Sequence, residues 1–267
     1  MINIQKLIEE AAENGYTGDK ATAKTCQDIV LKALATGPLK KKVTIKGDVV
    51  MRSKTNNVRR ATQDLDIDFI RYSLADESID AFIANLNCME GITITRSGRI
   101  EELKQQDYSG KRVFVLIEDA EGHRVKSKID LGVHNRFELE QEEYCFDIAY
   151  DDEGASLLIN SNEQMFVEKL RSLLKFGPFS TRYKDVYDMY YLKDHLDKNK
   201  LSTALAVYIF DDPAMRENEI TDIVKRLKFT FHDKMFMKSL DKSDKRWLDD
   251  TIEEITTELS DFLSALS

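Results

Sequence analysis

The chain has 267 residues, of which 42% are hydrophobic and 33% charged, a composition typical of a globular protein long enough to bury a core. The net charge of -9 excludes indiscriminate nucleic-acid binding over the whole surface, and three cysteines outside any CxxC pair exclude a disulfide framework. The longest apolar run, residues 204–210, is far shorter than the roughly 20 residues of a membrane span, and the N-terminus lacks a secretory signal pattern. We therefore expect a cytoplasmic protein that does not enter a membrane.

The first half of the chain predicts two helices followed by a sheet. Apolar residues recur at helical spacing over residues 4–12 and 19–35, and Gly37-Pro38 ends the second helix. A short strand follows at residues 43–47. Later elements are predicted in this order: a strand at 65–70, a helix at 78–87, and strands at 92–95, 112–118 and 125–133, the last two joined as a hairpin.

From about residue 161 the sequence predicts helices. Ser161 and Gln164 have the spacing of a capping box, and helical segments follow at residues 165–174, 181–195, 201–210, 218–229 and 244–266. We place a domain boundary near residue 155, between residues 1–155 and 156–267. The prediction is an α+β fold, with a mixed or antiparallel sheet core flanked by helices and a helical C-terminal domain.

The most informative stretch is an alternating acidic strand that contains Asp64, Asp66 and Asp68. Residues two apart in a strand share a face, so the three carboxylates repel one another unless a cation lies between them. Asp130, in the middle of the 125–133 strand, is a fourth carboxylate that would be costly to bury unpaired. We expect these four residues to bind Mg²⁺ or Mn²⁺, which prefer oxygen ligands. The alternative is a solvent-facing acidic edge strand that prevents aggregation.

Residues upstream of the acids extend this motif. A strand ends in Lys46, Gly47 and Asp48, and the acids belong to the sequence Arg60-x-Thr62-x-Asp64-x-Asp66. This arrangement resembles the AbiEii/AbiGii toxin family of nucleotidyltransferases, in the polymerase-β-type superfamily. The resemblance implies that Lys46, Gly47, Asp48, Arg60 and Thr62 lie at the nucleotide. Asp48 stands where the family has Gly or Ser, and its charge repels a triphosphate unless a metal or an arginine intervenes.

A second block is similar to the family's C-terminal signature, a lysine followed by Arg-x-Lys-Asp-x-x-Asp. Here these residues are Lys169, Arg182, Lys184, Asp185 and Asp188. The resemblance implies that Lys169 contacts the phosphates of the donor, and that Asp185, or alternatively Asp188, acts near the acceptor. The alternative is a surface lysine with ordinary helical ion pairs. Trp247 is expected in the core and not as a base-stacking platform.

The resemblance implies an enzyme that uses Mg²⁺ or Mn²⁺ to transfer an NMP from an NTP to an acceptor hydroxyl, in a cleft between the two domains. It also implies the toxin of a bacterial toxin–antitoxin or phage-defence pair, with tRNA as acceptor and an antitoxin encoded nearby. Residues 38–60 carry eight Lys or Arg and one acid, and we hypothesise that Arg52, Lys54 and Arg59 contact the RNA backbone. A small-molecule or protein acceptor, or a non-catalytic regulator that binds a nucleotide or a partner, is the alternative.

Overall fold

The structure, a computed structural model, describes residues 1–103, 110–244 and 246–266. It divides into a sheet unit, Met1–Phe137 with Gln141–Asn160, and a helical unit, Glu138–Glu140 with Ser161–Ser267. The boundary that the sequence suggested near residue 155 falls inside the last strand of the sheet unit. The division into these two units comes after Asn160, five residues beyond the predicted boundary.

The sheet unit contains four helices and eight strands within its described residues. Its helices are α1 (Ile4–Glu13), α2 (Asp19–Thr36), α3 (Asp48–Thr55) and α4 (Asp76–Asn85). Its strands are β1 (Val43–Lys46), β2 (Leu65–Ile70), β3 (Ile92–Arg96), β4 (Glu101–Leu103), β5 (Gly110–Asp119), β6 (Arg124–His134), β7 (Gln141–Ile148) and β8 (Asp151–Asn160). The predicted strands and the predicted hairpin of β5 and β6 are confirmed.

The strands form one mixed sheet in the order β3-β5-β6-β2-β1-β8-β7, with β4 paired to β5. Strand β2 lies near the centre, antiparallel to β1 and parallel to β6. Leu65, Ile67 and Phe69 are buried, as the alternation predicted. Because β2 has a partner strand on both sides, the alternative of a solvent-facing edge strand is wrong. The acidic residues of β2 therefore lie inside the sheet, where a carboxylate needs a compensating cation or hydrogen bond.

The hairpin of β7 and β8 was not predicted from the sequence. Strand β7 reads Gln-Glu-Glu-Tyr-Cys-Phe-Asp-Ile, in which the apolar alternation is confined to its second half. Only Phe146 and Ile148 of this strand are buried, since it lies at the edge of the sheet. In β8 the buried residues Ala155, Leu157 and Ile159 alternate, so this second strand carries the sequence signal for the hairpin.

The described residues of the helical unit contain six α-helices. They are α5 (Asn162–Phe176), α6 (Tyr183–Leu192), α7 (Lys198–Leu205), α8 (Ile220–His232), α9 (Lys234–Asp241) and α10 (Ile252–Ser264). Ser161 caps α5 by accepting a hydrogen bond from the Gln164 backbone N–H. A π-turn, Ala206–Phe210, extends α7, and one turn of 3-10 helix, Gly177–Phe179, separates α5 from α6.

The predicted helix at residues 244–266 is too long, and helix α9 was missed. Thr251 begins α10 with a capping box that includes Glu254, so the segment before it is not helical. Lys245 lies outside the described residues. Among the described helices, no helix combines the length and the apolar composition that a membrane span requires.

Candidate functional site

Asp66 is the centre of the predicted acidic cluster. It pairs in register with Lys46 on β1 and with Asp130 on β6, so its two neighbours across the sheet are a cation and a second carboxylate. Burial, the largest cause, raises the pKa of Asp66; Lys46 lowers it, and the charges of Asp48, Asp130 and Asp64 raise it. The net result is a shift of the pKa from the ordinary value of 3.8 to about 7. This carboxyl therefore lies where its ionised form lacks full compensation by the protein.

The contact with Asp66 explains why residue 47 is a glycine. Its φ of +69° lies in the region that residues with a Cβ rarely adopt, and an added Cβ would lie 2.3 Å from Oδ2 of Asp66. The turn between β1 and α3 therefore needs glycine to admit the Asp66 carboxylate. The sequence interpretation assigned this glycine to the approach of phosphates, and the structure adds a contact within the protein itself.

Asp48, the residue that departs from the family pattern, is paired with an arginine. Nη2 of Arg60 donates a hydrogen bond of 2.6 Å to Oδ1 of Asp48, and the Arg60 side chain is fully buried. The sequence required a metal or an arginine to offset the charge of Asp48, and Arg60 supplies it. Arg60 therefore lies against the start of α3, and the nucleotide contact that the resemblance implied for both residues stays a prediction.

The other carboxylates of the predicted cluster each have a cationic partner. Nζ of Lys128 lies 2.6 Å from Oδ1 of Asp64, and Nζ of Lys46 lies 2.7 Å from Oδ1 of Asp68. Arg112 binds Asp130 through two hydrogen bonds, from Nε at 2.7 Å and from Nη2 at 2.8 Å, which raise the pKa of Arg112. The protein therefore balances these charges without an ion.

The described residues contain no group of three or more His, Cys, Asp or Glu side chains arranged to hold a metal. The donor chemistry nevertheless fits a hard divalent cation at Asp64 and Asp66, which carry carboxylates two residues apart at the start of β2. Magnesium binds through one or two carboxylates plus substrate phosphates and water, so a pair is sufficient. An ion at Asp64 would have to displace Lys128, but that pair is more exposed than the pairs of Lys46 with Asp68 and of Arg112 with Asp130, so Asp68 and Asp130 fit less well.

Three residues of this site were not predicted. Arg112 and Lys128 have a sequence signal: Arg112 faces Asp130 across the β5–β6 hairpin, and Lys128 lies two residues before Asp130 on the same strand. Gln27 has none, because its role depends on the packing of α2. Its Nε2 donates to the backbone oxygens of Thr62 at 3.0 Å and of Asp64 at 3.3 Å.

Thr62 shapes the same loop. Its Oγ1 accepts a hydrogen bond of 3.3 Å from the Asp64 backbone N–H, and the residue is buried. Gln27 and Thr62 therefore hold the entry into β2 from both sides of the chain. The resemblance implied a nucleotide contact for Thr62, which stays a prediction.

The second motif forms a buried cluster within the helical unit. Nζ of Lys169 lies 2.8 Å from Oδ2 of Asp188 and 3.3 Å from Oδ1 of Asp185. Nε1 of Trp247 donates a hydrogen bond of 3.0 Å to Oδ1 of Asp188, and Nε of Arg182 lies 2.7 Å from Oδ2 of Asp185. One ammonium thus joins two carboxylates, and helices α5 and α6 are linked through it.

This cluster corrects one alternative and confirms one expectation. Lys169 is buried and is not a surface lysine. Asp185 and Asp188 are both buried and each is bound on both oxygens, so the assignment of either acid to the acceptor stays a prediction. Trp247 lies in the core, as expected, and it also supplies the hydrogen-bond donor that Asp188 needs.

The basic stretch at residues 38–60 presents fewer cations to solvent than its sequence suggests. Arg52 is only 4% exposed, so its guanidinium is not available to a nucleic-acid backbone at the surface. Nζ of Lys54 lies 5.5 Å from the centre of the Tyr144 ring, and Arg60 is buried at Asp48. Of the three proposed contacts only Arg59 is exposed. The predicted RNA contact of Arg52 is therefore wrong, and those of Lys54 and Arg59 stay predictions.

Comparisons with known proteins give one family and a solved structure of limited similarity. The family model described as "Nucleotidyl transferase AbiEii toxin, Type IV TA system" matches residues 29–265. A search of curated proteins finds no match. Among solved structures, the chain is similar to an antigenic nucleotidyltransferase-like protein from Paracoccidioides brasiliensis, at 12% identity and a TM-score of 0.39, covering 82% of this chain and 91% of that one.

Proposed function

Because the chain belongs to the AbiEii family of nucleotidyltransferase toxins from type IV toxin–antitoxin systems, we propose that it transfers an NMP from an NTP to a hydroxyl of RNA, with tRNA as the first acceptor to test, and that Mg²⁺ or Mn²⁺ is its cofactor. The enzyme class and the existence of an antitoxin partner follow from the family. The acceptor and the metal are our proposals. The main support for the metal is the Asp66 carboxylate, which lies against Gly47 and beside Asp130 with a raised pKa.

In this proposal Asp64 and Asp66 hold the divalent cation. When bound, the cation neutralises charge on the phosphates of the donor and offsets the repulsion among the aspartates. Arg60 neutralises Asp48, so the backbone N–H groups at the start of α3 stay favourable for a phosphate. The carboxylate pair and the helix terminus therefore favour the same anionic donor.

The reaction is a single displacement at the α-phosphorus. The acceptor hydroxyl oxygen bonds to phosphorus as the bond to the bridging oxygen of the β-phosphate breaks. Pyrophosphate leaves with that electron pair, and the hydroxyl proton passes to solvent or to a carboxylate. Such a step depends mainly on positioning and charge neutralisation, which a rigid strand and a glycine turn provide.

We propose that Lys169 binds the donor by exchanging one partner. Its contact with Asp185 is 3.3 Å and that with Asp188 is 2.8 Å, so the bond to Asp185 is the one to open. Arg182 still holds Asp185 after the exchange, and Trp247 still holds Asp188. No carboxylate is then left unpaired, so the exchange avoids the large free-energy cost of a buried charge without a partner.

The test is transfer of label from each α-labelled NTP to purified tRNA and to total RNA, with Mg²⁺, with Mn²⁺ and with EDTA. We expect labelled RNA only with a divalent cation, and none with Asp66→Asn. Asp152→Asn, at an exposed carboxylate in β8, is the matched control and should keep wild-type activity. Label on the protein or on a small molecule, with none on RNA, would contradict the proposed acceptor, and equal activity in EDTA would contradict the metal.

A further inference from the structure

Several large apolar side chains of the helical unit are exposed to solvent and not buried in its core. The described residues contain six exposed large apolar side chains, and four of these lie on neighbouring elements of this unit. Their exposed fractions are 48% for Phe176, 89% for Phe179, 62% for Phe229 and 70% for Met235. Exposed apolar residues grouped in this way indicate a binding surface.

The tertiary structure brings these residues together from distant parts of the sequence. The turn Gly177–Phe179 packs against α8 and α9, which also pack against each other. Arg226 links them: its Nε donates a hydrogen bond of 3.4 Å to the Leu174 backbone oxygen, and its guanidinium lies 5.8 Å from the centre of the Phe229 ring. Gly177 leaves room for Arg226, because a Cβ there would lie 3.0 Å from Nη2.

The sequence around these rings carries more basic than acidic residues. Residues 175–185 and 222–241 together carry eight Lys or Arg and four acids, in a chain of net charge -9. One of these acids, Asp233, caps α9 by accepting hydrogen bonds from the backbone N–H groups of Met235 and Phe236. Lys225 and Lys238 are exposed, and neither has an ion-pair partner among the described residues. These two lysines lie one helical turn from Phe229 and Met235, respectively.

One side of α8 does not belong to this surface. Lys228 and His232 line a cavity of about 270 Å³ that also contains Glu253 and Asp261 of α10. Acidic residues there would repel a polyanion. The surface that remains consists of Phe176, Phe179, Lys225, Phe229, Met235 and Lys238, and we call it the aromatic–basic surface.

We propose that the aromatic–basic surface binds single-stranded RNA, with bases stacked on Phe179 and Phe229 and the backbone near Lys225 and Lys238. Exposed aromatic rings among unpaired lysines provide the two interactions that single-stranded nucleic acids use, base stacking and phosphate contact. A protein partner is less suited to a surface in which lysine is frequent, because protein interfaces are depleted in lysine. The inference rests on the proposed function, because it assigns the RNA acceptor of that function to the aromatic–basic surface.

The position of the turn supports this assignment. Gly177–Phe179 joins α5, which carries Lys169, to α6, which carries Asp185 in its first turn. Lys169 precedes Phe176 by seven residues, or about 10 Å along the helix. An RNA strand stacked on Phe179 would therefore lie near the helices that carry the second motif.

The experiment measures RNA binding by the full chain without NTP, by fluorescence anisotropy with a short labelled single strand. Phe179→Ala and Phe229→Ala should each weaken binding about five- to a hundredfold, and Phe179→Trp should retain it. Lys225→Gln should lower the slope of log K against log salt by about 0.7, if Lys225 meets one phosphate. Matched controls are Phe137→Ala and Lys198→Gln, at exposed residues outside the surface.

Two outcomes would overturn the proposal. The first is wild-type affinity for RNA in the Phe179→Ala/Phe229→Ala double variant. The second is loss of self-association in that variant, measured by sedimentation, with RNA binding unchanged, which would identify a protein interface. The proposed function is judged separately by transfer of label: transfer to RNA at the wild-type rate by the double variant refutes the surface and keeps the function. RNA binding that depends on Phe179, without any transfer, supports the surface and refutes the acceptor.

Discussion

Replacement of Asp66 by asparagine should abolish nucleotidyl transfer and also stabilise the metal-free protein at neutral pH. The pKa of Asp66 is raised from 3.8 to about 7, because the carboxyl is desolvated and faces the charges of Asp48, Asp130 and Asp64. Asparagine keeps the shape of the side chain and removes its ionisation. Ionisation of Asp66 in the folded protein costs free energy, so this aspartate is unfavourable for stability. Its presence therefore reflects function.

The sign follows from the protons bound in each state. Between about pH 4 and pH 7 the folded protein keeps the proton on Asp66 while the unfolded chain has lost it. The free energy of unfolding contributed by this group is therefore largest below about pH 4 and falls as the pH rises towards 7. The loss is about 1.4 kcal/mol per pH unit in this window, or roughly 2.5 kcal/mol between pH 5 and pH 8.

The assay is urea unfolding of wild type and Asp66→Asn in EDTA at several pH values from 5 to 8. Other titrating groups cancel in the difference between the two proteins, which should grow in favour of the variant by about 2.5 kcal/mol as the pH rises. Asp152→Asn reports the effect of removing one exposed negative charge. A difference that stays constant across this range would refute the desolvation of Asp66, and with it our reason for placing the cation there.

Three further predictions concern packing, the first within the sheet unit and the other two within the helical unit. Gly47→Ala should destabilise the fold by more than about 1 kcal/mol, because φ is +69° and the new Cβ meets the Asp66 carboxylate; unchanged urea unfolding would contradict this. Lys169→Ala should lower the free energy of unfolding by about 3–5 kcal/mol, since Asp188 stays buried without its cation, whereas removal of a surface lysine would change it little. Lys169→Ala with wild-type stability would show that the pair is not buried in solution. Trp247→Phe removes the donor to Asp188 and should cost about 1–3 kcal/mol, measured by circular dichroism because the chain has one tryptophan; an unchanged midpoint would contradict the hydrogen bond.

The acidic strand could be predicted because its pattern is local. Alternation of acidic and apolar residues from Asp64 to Phe69 defines which side chains share a face, whatever the strand packs against. The hairpin of β5 and β6 was equally readable, because a turn signal separates two apolar runs. Strand β7 and helix α9 were missed, because each buries only two apolar residues and so shows weak periodicity.

The partners of the charged residues could not be predicted in the same way. The sequence presented Asp64, Asp66, Asp68 and Asp130 as one metal cluster, but the fold pairs three of them with cations. Likewise, residues 38–60 read as a basic patch although Arg52 is buried. Charge along a sequence shows how many charges a segment carries, and burial determines which of them reach solvent.

The sequence by itself determined the fold class, the family and the acidic strand, because these depend on periodicity and on the spacing of residues close together in the chain. Only the tertiary structure decided that Asp66 is the carboxyl left without full compensation, that Trp247 holds Asp188, and that Phe179 lies beside α8. These contacts join residues about 50 or more positions apart, or depend on the exclusion of water. Electrostatic energies and ligand surfaces depend on distance in space and on solvent access, and neither quantity is a property of sequence spacing.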